Sequence, residues 1–249
     1  MRDADLERIF TFWTGETSLN PGRIAALATI GATGLRHIHV SGAEVRDWER
    51  ADMPFHPAYD LLSEVHKADY LRCYFMHVHG GGYTDIKFHT QSWREAVTAL
   101  ARHRRLVGAG YREVRGGTPY LESHIVDGDV HVLSHRASRW QARLATNAMR
   151  GLYPVMIGNG AFVFKPRTWF TRYWYGELCR RLDLLLPLLR AAPPLHARDR
   201  AGGVAGMPHA GYPVPWSFLL GDILGPLGLI CAPALARSLP ELSVKGYLE

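Results

Sequence analysis

Three observations predict an α/β fold built on a mostly parallel sheet flanked by helices. Strand-like and helix-like runs alternate along most of the chain. The first strand, helix and strand fit within about thirty residues, the size of a βαβ unit. An Asp-Gly pair between two apolar-alternating arms adds an antiparallel hairpin, a common supplement to parallel sheets. The composition agrees: 249 residues, 47% hydrophobic and 21% charged, exclude a disordered chain, a collagen or a coiled coil. No clear boundary divides the sequence, so residues 1–249 read as one domain.

Ile9-Phe10-Thr11-Phe12-Trp13 is β-branched and aromatic and closes on Thr14-Gly15, the pattern of a buried strand ending in a turn. Asn20-Pro21 then supplies a helix start, with Ile24, Leu27 and Ile30 on one face, and residues 35–40 form the next strand. His56-Pro57 opens a longer helical pattern carried by Leu61, Leu62, Val65, Ala68, Leu71, Phe75 and Met76, which stops at Gly80-Gly81-Gly82. Residues 83–88 read as a strand, 92–103 as a helix, and 106–108 as the start of another strand. The hairpin is expected over 123–134 around Asp127-Gly128. Residues 155–157 and 161–164 read as two short strands split by Gly158-Asn159-Gly160. Residues 166–189 are mainly helical, with Pro187 limiting the end. Residues 191–215, rich in Pro, Gly and His, are expected to be a mobile loop over a site or disordered.

Charge and cysteine usage bound the function. The net charge is +6, and only Lys67, Lys87, Lys165 and Lys245 among the 29 basic residues are Lys. An arginine-rich surface suits phosphate or carboxylate partners. Arg102, Arg104, Arg105, Arg112 and Arg115 form the densest basic run, but no nucleic-acid-binding signature accompanies it, so nucleic acid is not an expected partner. Cys73, Cys179 and Cys231 are odd in number and form no C-x-x-C pair, which fits a reducing compartment. With no apolar core of signal-peptide length in residues 1–8, a cytoplasmic location is expected. The apolar runs 182–189 and 217–236 read as core, and could also seat the protein peripherally at the inner face of a membrane.

Chemistry-bearing residues concentrate in Ala68-Asp69-Tyr70-Leu71-Arg72 and in the Gly80-Gly81-Gly82-Tyr83-Thr84-Asp85-Ile86-Lys87 run. Asp69 and Arg72 share a helix face, and Asp85 and Lys87, two apart on an expected strand, share a sheet face. Two acids and two bases thus converge at a helix-to-strand corner. In an open α/β sheet, ligands sit beyond the carboxyl ends of the parallel strands, where Trp13-Thr14 and this corner could both lie. His37/His39 and His77/His79 have no third ligand at metal spacing and read as core or solvated histidines. Asn159, between two glycines, is a candidate for approach to a ligand, with a simple turn the alternative. Trp216 and Asp222, the latter in an apolar run, are reserve candidates for metal or acceptor contact, with capping or a salt bridge the alternative for Asp222.

The register resembles that of the glycosyltransferases carrying a sugar-binding region with a DXD motif, the group that includes α-1,6-mannosyltransferases, glucosylating toxins and capsular-polysaccharide enzymes. Ala68-Asp69, Arg72, Gly80-Gly81, Tyr83 and Asp85 match that pattern, and Phe10 to Gly15 is similar to the family's first strand. The match covers roughly the first ninety residues well and the remainder in outline. It implies a GT-A-like, Rossmann-like fold, with residues 1–110 as the nucleotide-sugar half and 111–249 as the acceptor half. It implies transfer of a sugar from a UDP- or GDP-sugar, with retention, to a saccharide, lipid-linked or other acceptor. In that scheme Trp13 and Thr14 receive the base, Asp69 and Arg72 hold the sugar, Tyr83 supports the diphosphate side, and Asp85 contacts the ribose and the metal shell. Asn159 joins the donor-binding set, and Asp85, Lys87 and Arg72 the catalytic one.

The family's second DXD acid, a direct Mn²⁺ ligand, is Lys87 here. An ammonium in place of a carboxylate removes a ligand and adds repulsion, which argues against Mn²⁺ or Mg²⁺ at Asp85. Lys87 could itself neutralise the diphosphate, a later acid could complete a shifted metal site, or the protein could bind a donor without turnover.

Overall fold

The computed structural model describes residues 6–15, 17–203 and 211–242. In chain order the elements are β1 (Arg8–Trp13), α1 (Pro21–Thr29), β2 (Arg36–Ser41), α2 (Glu64–Val78), β3 (Gly81–Thr84), α3 (Arg94–Arg102), β4 (Gly108–Arg112), β5 (Ile125–Val126), β6 (Asp129–Val132), β7 (His135–Ala137), α4 (Arg139–Leu152), β8 (Ile157–Phe164), α5 (Trp169–Ala191), α6 (Gly221–Ile230) and β9 (Leu235–Ala236). Six strands form one sheet in the order β2-β1-β3-β8-β4-β9, while β5-β6-β7 form a separate antiparallel sheet. The α/β expectation holds, but the main sheet is mixed. The ladders β1/β2, β1/β3 and β4/β9 are parallel, whereas β8 lies antiparallel between β3 and β4.

Strand alternation sorts the core onto two faces. Phe10, Phe12, Tyr83, Phe162 and Phe164 join a cluster with Phe75 of α2, Trp174 of α5 and Ile223 of α6. Ile9, Ala109, Ala161 and Val163 point the other way, into a cluster with Trp93, Val97 and Leu100 at α3. Each large apolar side chain so buried contributes about 1.5–3 kcal/mol. Both faces being covered explains why β1 reads as a nearly continuous apolar run.

The structure departs from the sequence-based expectations at several points. The second helix begins at Glu64, not at His56-Pro57. A single 3-10 turn at Tyr59–Leu61 is followed by extended Leu62 and by Ser63 at the N-cap. The Ser63 hydroxyl is bound to His66 Nδ1 (2.9 Å) and donates to Asp199 O (3.0 Å) instead of closing that cap. Residues 157–164 form one strand and not two. Gly158 and Gly160 are strand-internal because Tyr111 of β4 lies over them: a Cβ at Gly158 would fall 2.0 Å from the Tyr111 ring. The fifth helix continues past Pro187 to Ala191. Pro187 and Asp183 lie on its exposed side, so the Asp183 carbonyl that loses its N–H partner can turn to water.

The expected mobile loop over 191–215 is tied down on either side of 204–210, which lies outside the described residues. The Ala201 N–H donates to Val214 O (2.8 Å), and Tyr212 and Val214 are fully buried. The apolar run 182–189 buries Leu182, Leu185 and Leu189, and α6 is buried from Gly221 to Gly228, while Ile230 at its end is 70% exposed. Among the described residues no helix is long and apolar enough to cross one.

Gly80 sets the corner between α2 and β3. It has a positive φ of 67°, its N–H donates to Phe75 O (2.9 Å), and a Cβ there would sit 2.5 Å from the Pro166 ring. Left-handed strain and overpacking together make Gly80→Ala destabilising by about 3 kcal/mol, read as a lowered urea midpoint. A midpoint unchanged from wild type would show that this corner yields freely.

Candidate functional site

A cavity of about 580 Å³ opens at the carboxyl ends of β1 and β3. Parallel strands leave such a crevice where their following segments diverge. Trp13 and Thr14 follow from β1, and Tyr83 and Asp85 from β3. Helix α2 contributes Glu64, Ala68 and Arg72, spaced i, i+4, i+8 on one face, with Asp69 beside them. Asn159 of β8 and the segment Trp216-Ser217 complete the wall. Residues from both halves of the chain therefore meet in one cavity.

Arg72 is the hub. Its Nη2 lies 3.1 Å from Asp85 Oδ1 and its Nη1 3.5 Å from Asp69 Oδ1. Nη1 also donates to Asn159 O (3.4 Å), and the guanidinium stacks over the Tyr83 ring at 4.6 Å. The Tyr83 hydroxyl donates to Asp85 Oδ1 (2.7 Å). The i, i+3 pair of Asp69 and Arg72 is thus largely buried rather than a solvated surface pair. Burial pushes the Asp69 carboxyl up to about 7; Arg72 opposes the shift, and the charges of Asp85 and Asp222 add to it.

Asp85 and Lys87 do not share a strand face. β3 ends at Thr84, where the Asp85 N–H donates to Gly160 O (2.7 Å) and the Lys87 N–H to Asp85 O (2.8 Å), forming a tight turn. Lys87 is not among the residues lining the cavity. Its Nζ sits 3.2 Å from Asp85 Oδ2, leaving one cation on each oxygen of that carboxylate. A divalent cation needs spare negative charge on oxygen ligands, and Asp85 already faces two cations. The residues present do not fit a divalent cation at Asp85.

Trp13 and Asn159 both line the cavity. The Trp13 indole N–H donates to Thr17 O (2.6 Å), and the Arg23 guanidinium lies 4.8 Å from its ring. Trp216 also lines the cavity and is 40% exposed, whereas Asp222 is fully buried behind it. Ser217 Oγ donates to Asp222 Oδ1 (2.6 Å), and His124 Nδ1 lies 2.7 Å from Oδ2. Burial disfavours the charged form of His124, but its hydrogen bond to Asp222 and that residue's charge prevail and raise its pKa. Asp222 is therefore a partnered carboxylate that reaches the cavity through Ser217. His66 fixes the Trp216 segment to α2: its Nδ1 lies 3.2 Å from the Tyr212 hydroxyl and its Nε2 3.2 Å from Pro215 O.

Sequence reasoning missed Arg23, Glu64, Ser217 and His124. Glu64 was accessible through the i, i+4, i+8 spacing, whereas nothing local links His124 to a carboxylate 98 residues away. The histidine pairs are structural. Thr11 Oγ1 lies 2.9 Å from both His37 Nε2 and His39 Nδ1, His79 is bound to Trp48 O and His77 to Thr171. Comparison of the chain with family models, with curated proteins and with solved structures finds no match.

Proposed function

We propose that the protein is a GT-A-type glycosyltransferase that moves a sugar from a UDP- or GDP-sugar to a saccharide, lipid-linked or other acceptor. The observation that carries this reading is the convergence of Asp69, Arg72, Tyr83 and Asp85, the residues in family register, in one connected group within a cavity that Trp13 and Trp216 also line. An indole offers a π-face to a nucleobase, and carboxylate and guanidinium suit sugar hydroxyls. Arg23, Arg72 and Arg198 line the same cavity and supply positive charge for a departing diphosphate.

In a retaining, front-face transfer the anomeric carbon–oxygen bond breaks with its electron pair going to the diphosphate. The acceptor oxygen bonds the anomeric carbon on the same face, and its proton passes to the departing diphosphate oxygen. No strong nucleophile is required, so catalysis rests on positioning and on charge. The pairing of Asp85 with Arg72 and Lys87 also favours a second reading, a nucleotide-sugar-binding protein without turnover. Donor hydrolysis separates the two.

The test is a thermal-shift series with UDP-, GDP- and CMP-sugars, each with Mn²⁺ and with EDTA. One donor at about 100 Kd raises the melting temperature by about 5 °C, and the rise survives EDTA. No response to any donor overturns the reading. Lys87→Ala leaves Asp85 with less positive charge beside the leaving group, so it retains the shift while turnover falls at least tenfold. Full turnover in that variant would remove Lys87 from the catalytic set.

A further inference from the structure

A second cavity, of about 550 Å³, shares the Trp216 wall with the first and is lined by Ser123, His124, Ile125, Arg200 and Pro215 among others. Asp222 joins the two. Its Oδ1 accepts from Ser217, which lines the first cavity, and its Oδ2 faces His124, which lines the second. We propose that this second cavity is the acceptor-side subsite and that it takes an acidic sugar residue. The acceptor assignment rests on the glycosyltransfer reading above; the acidic-sugar specificity stands on the cavity itself.

Two features argue for an anionic, hydroxylated ligand. Among the described residues the lining carries Arg200 and His124 but no Asp or Glu. His124 Nδ1 is engaged by Asp222, which fixes the ring and leaves Nε2 without a hydrogen-bond partner among the described residues. Arg200 uses Nε on Gly203 O (3.2 Å) and stacks at 4.7 Å over the Trp216 ring. Its terminal nitrogens have no protein partner among the described residues. A carboxylate matches the fork of a guanidinium, and ring hydroxyls match an imidazole nitrogen and the lone pairs of the Ser123 hydroxyl, which itself donates to Tyr120 O (2.7 Å). The partly exposed Trp216 indole adds apolar area of the kind a pyranose C–H face covers. The shared wall sets this ligand beside the contents of the first cavity, where a second substrate of a transfer reaction has to be.

The probes are methyl β-D-glucuronide and methyl β-D-glucoside, each followed by saturation-transfer NMR on the full chain. The glucuronide is expected to give a signal at least fivefold stronger than the glucoside, and Arg200→Gln to reduce it to the glucoside level. Ile125 is an exposed side chain, so Ile125→Trp fills the cavity without disturbing the Asp222 network. It is expected to abolish the glucuronide signal while leaving the donor-induced thermal shift intact. Equal signals from the two glycosides, no signal from the glucuronide, or a signal that survives Ile125→Trp would overturn the proposal. Absence of any donor-induced shift in the wild-type chain is a separate result. It removes the glycosyltransfer reading and the acceptor label, but leaves the acidic-sugar specificity to be decided by the NMR signals.

Discussion

Arg72→Met is expected to lower the unfolding free energy by about 3 kcal/mol at pH 8 and to abolish the donor-induced thermal shift. The guanidinium touches two acids that are both largely buried, Asp69 at 3.5 Å and Asp85 at 3.1 Å. Removing it strands those charges unequally. Asp85 keeps the Tyr83 hydroxyl at 2.7 Å and the Lys87 ammonium at 3.2 Å, whereas Asp69 loses the cation that opposed its burial. Asp69 already titrates at about 7 with Arg72 present, so without it the carboxyl is neutral over a still wider range. At pH 5 the variant therefore escapes much of the penalty, because the proton on Asp69 replaces the lost partner. Urea unfolding at pH 5 and pH 8 reads the difference directly. A loss of the same size at both values would show that Asp69 does not depend on Arg72.

Why the Asp69–Arg72–Tyr83–Asp85 group was legible in the sequence, while its surroundings were not, follows from how each contact arises. Asp69 and Arg72 meet by helix geometry alone, and Tyr83 reaches Asp85 across two residues, so spacing carries that information. The alternation in β1 likewise separates Phe10 and Phe12 from Ile9 without reference to the rest of the chain. Gly158-Asn159-Gly160 misled because glycines punctuate most strands, and the Tyr111 ring that makes them strand-internal comes from a neighbouring strand. The start of α2 is not legible from spacing because the apolar residues of the Tyr59–Leu61 turn mimic a helical repeat, while Ser63 is held by Asp199 across 136 residues. Spacing also brings Lys87 near Asp85, but its attachment depends on a turn in which Gly160 accepts the Asp85 N–H, a contact made by a distant strand. Ser217 and Asp222 are five residues apart, but the His124–Asp222 contact, across 98 residues, is wholly tertiary.

Asp69→Asn is expected to stabilise the protein at pH 8 and to leave it unchanged near pH 4. In the unfolded chain an Asp titrates near 3.9, and in the fold Asp69 titrates at about 7. Between those values the folded state holds a proton that the unfolded state has released, so stability falls as pH rises through this window. The full difference is on the order of 4 kcal/mol and is reached above about pH 7, where the buried carboxylate must stay charged. Asn has nearly the same shape, still accepts from Arg72, and carries no charge to bury, so its stability curve loses this slope. Urea midpoints taken from pH 4 to pH 8 on both proteins measure it, and parallel curves would contradict the burial of Asp69. The same variant reports on function. If a donor hydroxyl is held by the Asp69 carboxylate, donor binding by the wild-type chain strengthens as pH rises through 7. Asp69→Asn instead binds weakly and without that pH dependence. A protein made more stable by losing a residue, and poorer at binding for the same reason, would identify Asp69 as a charge kept in the core for its ligand.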